Sequence, residues 1–199
     1  MNLLNPTLPN PKGWHSRGYL PHFDVPGLVQ SITFRLGDSL PVSFRQEWEA
    51  WRKHEQDVER RKRFQEYLDN ALGSCVLRRN DIARLVQQEL LNGDGVDYRL
   101  IAWVIMPNHV HVIVEVGADR SLGDIVRLWK GRTARYCNLV LGKSGRFWAP
   151  DFHDRFIRDE RHLHNAVLYV EFNPVSAKLV ESPDQWEWSS AGYRSATIS

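Results

Sequence analysis

Two β-forming runs separated only by Pro107-Asn108 constrain this chain more than any other feature. Tyr98 to Met106 is nearly all apolar after Arg99, and His109 to Val116 follows at once. Strands that close in sequence pair as an antiparallel hairpin. Around them the order of elements narrows the fold. Leu28 to Leu36 alternates apolar and polar residues and reads as a first strand. Phe44 to Leu72 reads as a charged helix with Trp48, Trp51, Phe64, Tyr67 and Leu68 as its apolar positions, ended by Gly73. Asn80 reads as the N-cap of a second helix carrying Ile82, Leu85, Val86 and Leu90. Leu122 to Leu141 has helical spacing and is stopped by Gly142. Phe152 to Arg158 forms a short strand. Glu160 to Phe172 is helical, with Asn173-Pro174 as its end and Ser176 to Val180 as a further turn.

Strand, helices, strand, strand, helix, strand is the split βαβ order. The expected fold is α+β and ferredoxin-like, with a central antiparallel sheet, a helical insertion at about 43–92 after the first strand, and an additional C-terminal helix. Residues 1–27, with Pro6, Pro9, Pro11, Pro21 and Pro26, form an N-terminal arm. Residues 28–180 form the main domain and 181–199 a C-terminal tail carrying Trp186, Trp188 and Tyr193.

A net charge of +2 is uninformative as a total, but its distribution is not. Arg120, Arg127, Lys130, Arg132, Arg135, Lys143 and Arg146 fall within one short stretch opposed only by Asp124, a local footprint for phosphates. Cys75 and Cys137 are too few for a disulfide framework or a thiolate zinc site, which suits a reduced, cytoplasmic protein. No signal peptide and no membrane span are indicated. Eight tryptophans serve either packing or stacking on nucleic-acid bases.

Chemistry concentrates in two places. Side chains two apart on a strand share a face, so His109 and His111 point one way and Val110 the other. Two imidazoles can converge on a divalent ion or simply face solvent, and a tight site needs a third ligand from elsewhere. On the last helix Leu163, Ala166, Val167 and Val170 make a core stripe, with His162, Asn165, Tyr169 and Asn173 a quarter turn away. Tyr169 and Asn173, at i and i+4, lie one above the other. Taken alone, Asn173 before Pro174 reads first as an N-cap.

Several motifs in order carry a resemblance over about Leu28 to Tyr193: Trp103 through Pro107-Asn-His-Val-His111, Trp129-Lys-Gly-Arg-Thr-Ala-Arg135, Phe147-Trp148, Asp154-Arg155, and Tyr169-Val-Glu-Phe-Asn-Pro-Val175. In these the chain resembles the IS200-like tyrosine transposases, and within them the REP-associated branch of the HUH nucleases. The resemblance implies that His109 and His111 bind Mg²⁺ or Mn²⁺, that Asn173 is the third ligand in place of the N-cap role, and that Tyr169 is the nucleophile. It implies cleavage and rejoining of single-stranded DNA beside hairpins (REP-like palindromes) through a 5′-phosphotyrosine. It also implies a bacterial, cytoplasmic and nucleoid-associated protein, a monomer as in the REP-associated branch or a dimer as in other relatives. Lys130, Arg132 and Arg135 would neutralise phosphates, with Lys130 nearest the scissile one, and Arg155 and Arg158 flank the last strand within reach of DNA. His162 or His164 could accept the phenolic proton. Two other readings use the same residues: a domesticated binder of palindromic repeats, and an unrelated metal hydrolase that leaves Tyr169 idle.

Overall fold

The computed structural model describes residues 13–16, 21–25, 27–40, 66–68 and 72–198. The helix expected over Phe44 to Leu72 and the first residues of the arm lie largely outside them. A two-stranded antiparallel ribbon, β1 (Gly13–Ser16) and β2 (Pro21–Asp24), precedes the main sheet. The sheet consists of β3 (Val29–Arg35), β4 (Tyr98–Ile105), β5 (His109–Val116) and β6 (His153–Phe156) in the order β4-β5-β3-β6, every pair antiparallel. The crossovers are α1 (Asn80–Asn92) between β3 and β4 and α2 (Leu122–Leu141) between β5 and β6. The chain closes with α3 (Glu160–Ser176) and α4 (Ser190–Ile198). This is the ferredoxin-like arrangement that the element order implied.

Strand alternation gives the sheet two different faces. Ile32 and Phe34 of β3, Val110, Val112 and Val114 of β5, and Trp103 and Ile105 of β4 share one face, and α1 and α2 cover it with Ile82, Val86, Leu90, Ile125, Val126 and Trp129. The other face carries Ala102, Val104 and Ile113, over which α3 lays Leu163, Ala166, Val167 and Val170. The stripe read from the sequence is therefore the one that docks α3. Its neighbours on the same helix, Tyr169 among them, are turned towards the strand that holds the histidines.

Local chemistry sets the helix ends. Ser121 caps α2 by accepting from the Asp124 N–H at 3.1 Å, and Gly142 ends it in the left-handed region at φ 61°. Asp159 caps α3 through the His162 N–H at 2.7 Å. Two expectations shift. Arg79, not Asn80, holds the cap position of α1, and Asn80 is its first helical residue. The last helix does not stop before Asn173-Pro174 but runs on to Ser176, with Pro174 inside it. The proline ring removes only the donor that Val170 would have used, a loss a final turn tolerates better than a helix centre. Asn173 is thereby helical and not a cap.

Residues 186–190 are bound to the free edge of β4. The Ile105 N–H donates to Trp188 O, Val104 and Ser189 form a bridge, and Trp186 Nε1 donates to Ile105 O at 3.1 Å. An edge strand is thus paired instead of left open, and Trp188 is buried. Among the described residues no helix is long and apolar enough to cross a membrane.

Candidate active site

The site is built where α3 crosses the start of β5. His109 and His111 are both buried, and their Nε2 atoms lie 3.0 Å apart. Each Nδ1 is held from behind. Asn108 Oδ1 lies 2.7 Å from His109 Nδ1, and Asn108 Nδ2 donates to Leu72 O, which fixes the amide orientation. A carbonyl oxygen only accepts, so His109 carries its proton on Nδ1 and presents a lone pair at Nε2. The His–His contact then requires His111 to donate from Nε2. Its Nδ1 consequently accepts from Thr33 Oγ1, 2.7 Å away. A hydroxyl can donate or accept, so Thr33 suits either tautomer of His111, including the one that frees Nε2 as a ligand.

The other two residues come from α3. The Tyr169 ring stands edge-on to His111 with centroids 5.6 Å apart, and the side chain is 46% exposed. One turn further on, Asn173 is 3% exposed, and its Oδ1 has no hydrogen-bond partner among the described residues. An orphaned buried carbonyl costs about 1–3 kcal/mol.

The donor set fits a divalent cation. Two nitrogens on one octahedral ion, each about 2.1 Å away and at right angles, lie roughly 3.0 Å apart, which is the spacing of the imidazoles here. The amide oxygen of Asn173, which has no donor among the described residues, is of the type that would complete a mixed nitrogen and oxygen set for Mg²⁺ or Mn²⁺. Thr33 and Asn108 were not singled out in the sequence. Asn108 could have been found from its place directly before the histidine pair. Thr33 could not, because it meets His111 only through the β3–β5 register.

Burial pushes both imidazoles down. His109 lies well below the ordinary histidine range, with its neighbour His111 adding to the effect, and His111 is lowered to about 3. Both are neutral near pH 7, as ligands must be. The unfolded chain takes up protons near pH 6.5 and the folded one does not, so burial of the pair costs nothing above that pH. As pH falls below about 6.5 stability drains away, by up to about 1.4 kcal/mol per pH unit for each histidine, towards the lower folded values. Denaturant titrations in chelator should show a clearly lower unfolding free energy at pH 5 than at pH 7.5. An unchanged value would contradict neutral burial.

The expected DNA contacts divide between the two sides of the sheet. Arg155 of β6 is exposed and pairs in register with Ser31, two residues before Thr33, so it lies on the histidine face. Arg158 follows β6 and is also exposed. The cations of α2 sit on the opposite side. Lys130 Nζ donates to Pro150 O at 2.9 Å and Asp151 O at 3.3 Å, Arg132 pairs with Glu89 at 3.2 Å, and Arg135 is exposed. His162 lies seven residues before Tyr169, roughly 10 Å along the helix axis, and its Nδ1 accepts from the Arg158 N–H. The row of side chains on the site's face continues instead from His111 through Thr33 to His153 on β6, a residue not singled out beforehand.

A sequence model of the transposases described as IS200 like matches residues 79–173, from the cap of α1 to Asn173. That stretch contains every residue of the site except Thr33. Over those residues the chain is similar to the IS200-like transposases. A Haemophilus influenzae protein named as a REP-associated tyrosine transposase is 23% identical over 109 residues, 47% of this chain and 58% of that protein, so the match spans less than two thirds of the relative. A solved structure of a REP-associated tyrosine transposase bound to a REP hairpin shares the fold, with a TM-score of 0.58 at 16% identity over 88% of this chain and 83% of that one.

Proposed function

We propose that this IS200-like relative cleaves and rejoins single-stranded DNA beside hairpins of the REP type, using Tyr169 as nucleophile. The observation that carries the reading is the placement of the Tyr169 phenol against His111, with Asn173 one turn beyond it on the same helix. His109, His111 and Asn173 would hold Mg²⁺ or Mn²⁺, which when bound supplies charge neutralisation on the scissile phosphate and its orientation for in-line attack. Asn108 fixes the ligand tautomer of His109, and Thr33, able to accept as well as donate, would suit the ligand tautomer of His111 once the ion binds.

In the step itself the phenolic oxygen forms a bond to phosphorus while the bond from phosphorus to the 3′ oxygen breaks. The phenolic proton passes to solvent, and the departing 3′ oxygen gains one. The DNA 5′ end stays on Tyr169 as a phosphodiester, so attack by a 3′-OH can run the step backwards without ATP. Exposure of Tyr169 suits a nucleophile that must meet a polymer. All four residues come from one chain, which suits a monomer. Arg155, exposed on the same face, would meet the incoming strand.

The test uses hairpin oligonucleotides with single-stranded flanks, incubated with the full chain and Mn²⁺ and run on a denaturing gel. A slow-migrating protein–DNA adduct that chelator abolishes is expected. Tight hairpin binding with no adduct would replace the enzyme by a binding protein. Thr33→Val removes only the hydroxyl behind His111 and should weaken Mn²⁺ binding about 10–100-fold, as read by calorimetric titration. Unaltered Mn²⁺ affinity would remove Thr33 from the site.

A further inference from the structure

A groove of about 540 Å³ opens on the side of the sheet away from α3, between α2 and the segment that leads into β6. Clefts that take small ligands run roughly 300–1,000 Å³. One wall is the flank of α2 that carries Gly123, Lys130 and Gly131, and the other is the Phe147-to-Phe152 segment. The floor is apolar, and with Arg127 paired to Asp124 the cations left on the lining are Lys130 and Arg146, beside the carboxylate of Asp151. Lys130 is half-buried there, and burial lowers its pKa to about 8, with Asp151 opposing and Arg35 adding to the shift. A partly desolvated ammonium held by the carbonyls of Pro150 and Asp151 gains from an anion beside it.

The groove lies at the same end of the sheet as the histidines, although on the opposite face. Ala149 N–H donates to Arg35 O, and Arg35 pairs with His109. Segment 147–149 is therefore two strand spacings from β5, on the order of 10 Å. A strand leaving the scissile phosphate can reach round this end of the sheet.

We propose that the groove takes one unpaired nucleotide of the single-stranded DNA flank, its base against the apolar floor and its phosphate between Lys130 and Arg146. The proposal rests on the DNA reading above and deepens it. It assigns the α2 cations to holding the flank, not to the scissile phosphate.

Gly131 supplies the probe. Gly131 lines the groove and a Cβ built on it meets nothing within 4 Å, so Gly131→Leu adds apolar bulk at this wall. Leucine also favours the helix over glycine, so the variant gains helix stability and any loss of binding is not a folding defect. The full chain is titrated with a 12-nucleotide oligothymidine and with an abasic oligomer of the same phosphate count. Wild type should bind the oligothymidine about tenfold more tightly. Gly131→Leu should erase that preference, whereas Lys130→Ala should weaken both oligomers. Equal binding of the two oligomers by wild type, a base preference that survives Gly131→Leu, or no binding of either would overturn the groove site. The Mn²⁺-dependent adduct on hairpin substrates is scored separately in the same variants. Absence of that adduct beside an intact base preference would overturn the nuclease reading and leave the groove standing.

Discussion

Tyr169→Phe should abolish the covalent protein–DNA adduct, with a fall on the order of 10⁴-fold or more, while hairpin affinity changes little. The substitution removes one oxygen. The ring can keep its edge-on contact with His111, and nearly half of the residue faces solvent, so the substitution leaves the packing around the histidine pair in place. What disappears is the only atom the proposed step bonds to phosphorus. Strand rejoining should vanish with cleavage, because the ester that stores the bond is never made. Denaturing gels with end-labelled hairpins measure the first effect and a filter-binding titration the second. Cleavage that persists in Tyr169→Phe would mean that water is the nucleophile and would move the chain to the metal-hydrolase reading.

Trp129→Ala should cost about 3–5 kcal/mol of folding stability. Trp129 is 1% exposed at the centre of α2, and its ring stands edge-on to Tyr98 at 5.1 Å and stacks near Phe34 at 6.2 Å. Its indole N–H donates to the Tyr98 hydroxyl at 2.9 Å, which in turn donates to Leu90 O at 2.6 Å. One side chain therefore joins α2, β4 and the end of α1. Truncation leaves a cavity and strips the Tyr98 hydroxyl of its donor in a buried setting. Trp129→Phe keeps much of the volume and loses the hydrogen bond, so it should cost distinctly less. Chemical denaturation of the two variants checks the order. A loss below about 1 kcal/mol for Trp129→Ala would mean that the α2 face of the sheet packs differently.

Some of this was legible before any coordinates. The His109/His111 pair follows from strand alternation, and the Tyr169/Asn173 pair from helical spacing. Both are local periodicities, which a chain displays in its sequence. The core stripe of α3 is legible for the same reason. What stayed hidden depends on register between distant segments. Thr33 reaches His111 across 78 residues of sequence. Glu171 accepts from Ser190 Oγ at 2.7 Å and from Arg194 at 2.8 Å, which ties α4 to the helix of Tyr169, and no spacing announces it. The helix end at Asn173-Pro174 misled for a different reason. Proline is a stop on average, but in a last turn held by the Ala177 N–H to Asn173 O and Leu179 N–H to Pro174 O bonds the missing donor is a small loss. The continuation matters, because it keeps Asn173 in helical phase with Tyr169.

The basic stretch of α2 gives a related lesson. As a run of sequence it reads as one phosphate-binding patch, yet the helix distributes it round its circumference. Arg132 turns to Glu89, Arg127 to Asp124 at 2.7 Å, and Lys130 to the carbonyls of Pro150 and Asp151. Charge clustering along a chain sets a field, whereas helical phase decides which cation meets which group.

The central claim is that one oxygen, Tyr169 Oη, carries the DNA. Mass spectrometry of the trapped adduct tests it most directly, after exhaustive nuclease and protease digestion. The expected product is a 5′-linked nucleotide phosphodiester on the peptide that contains Tyr169 and on no other tyrosine. A nucleotide found on another residue, or cleaved DNA recovered with no peptide attached, would contradict it.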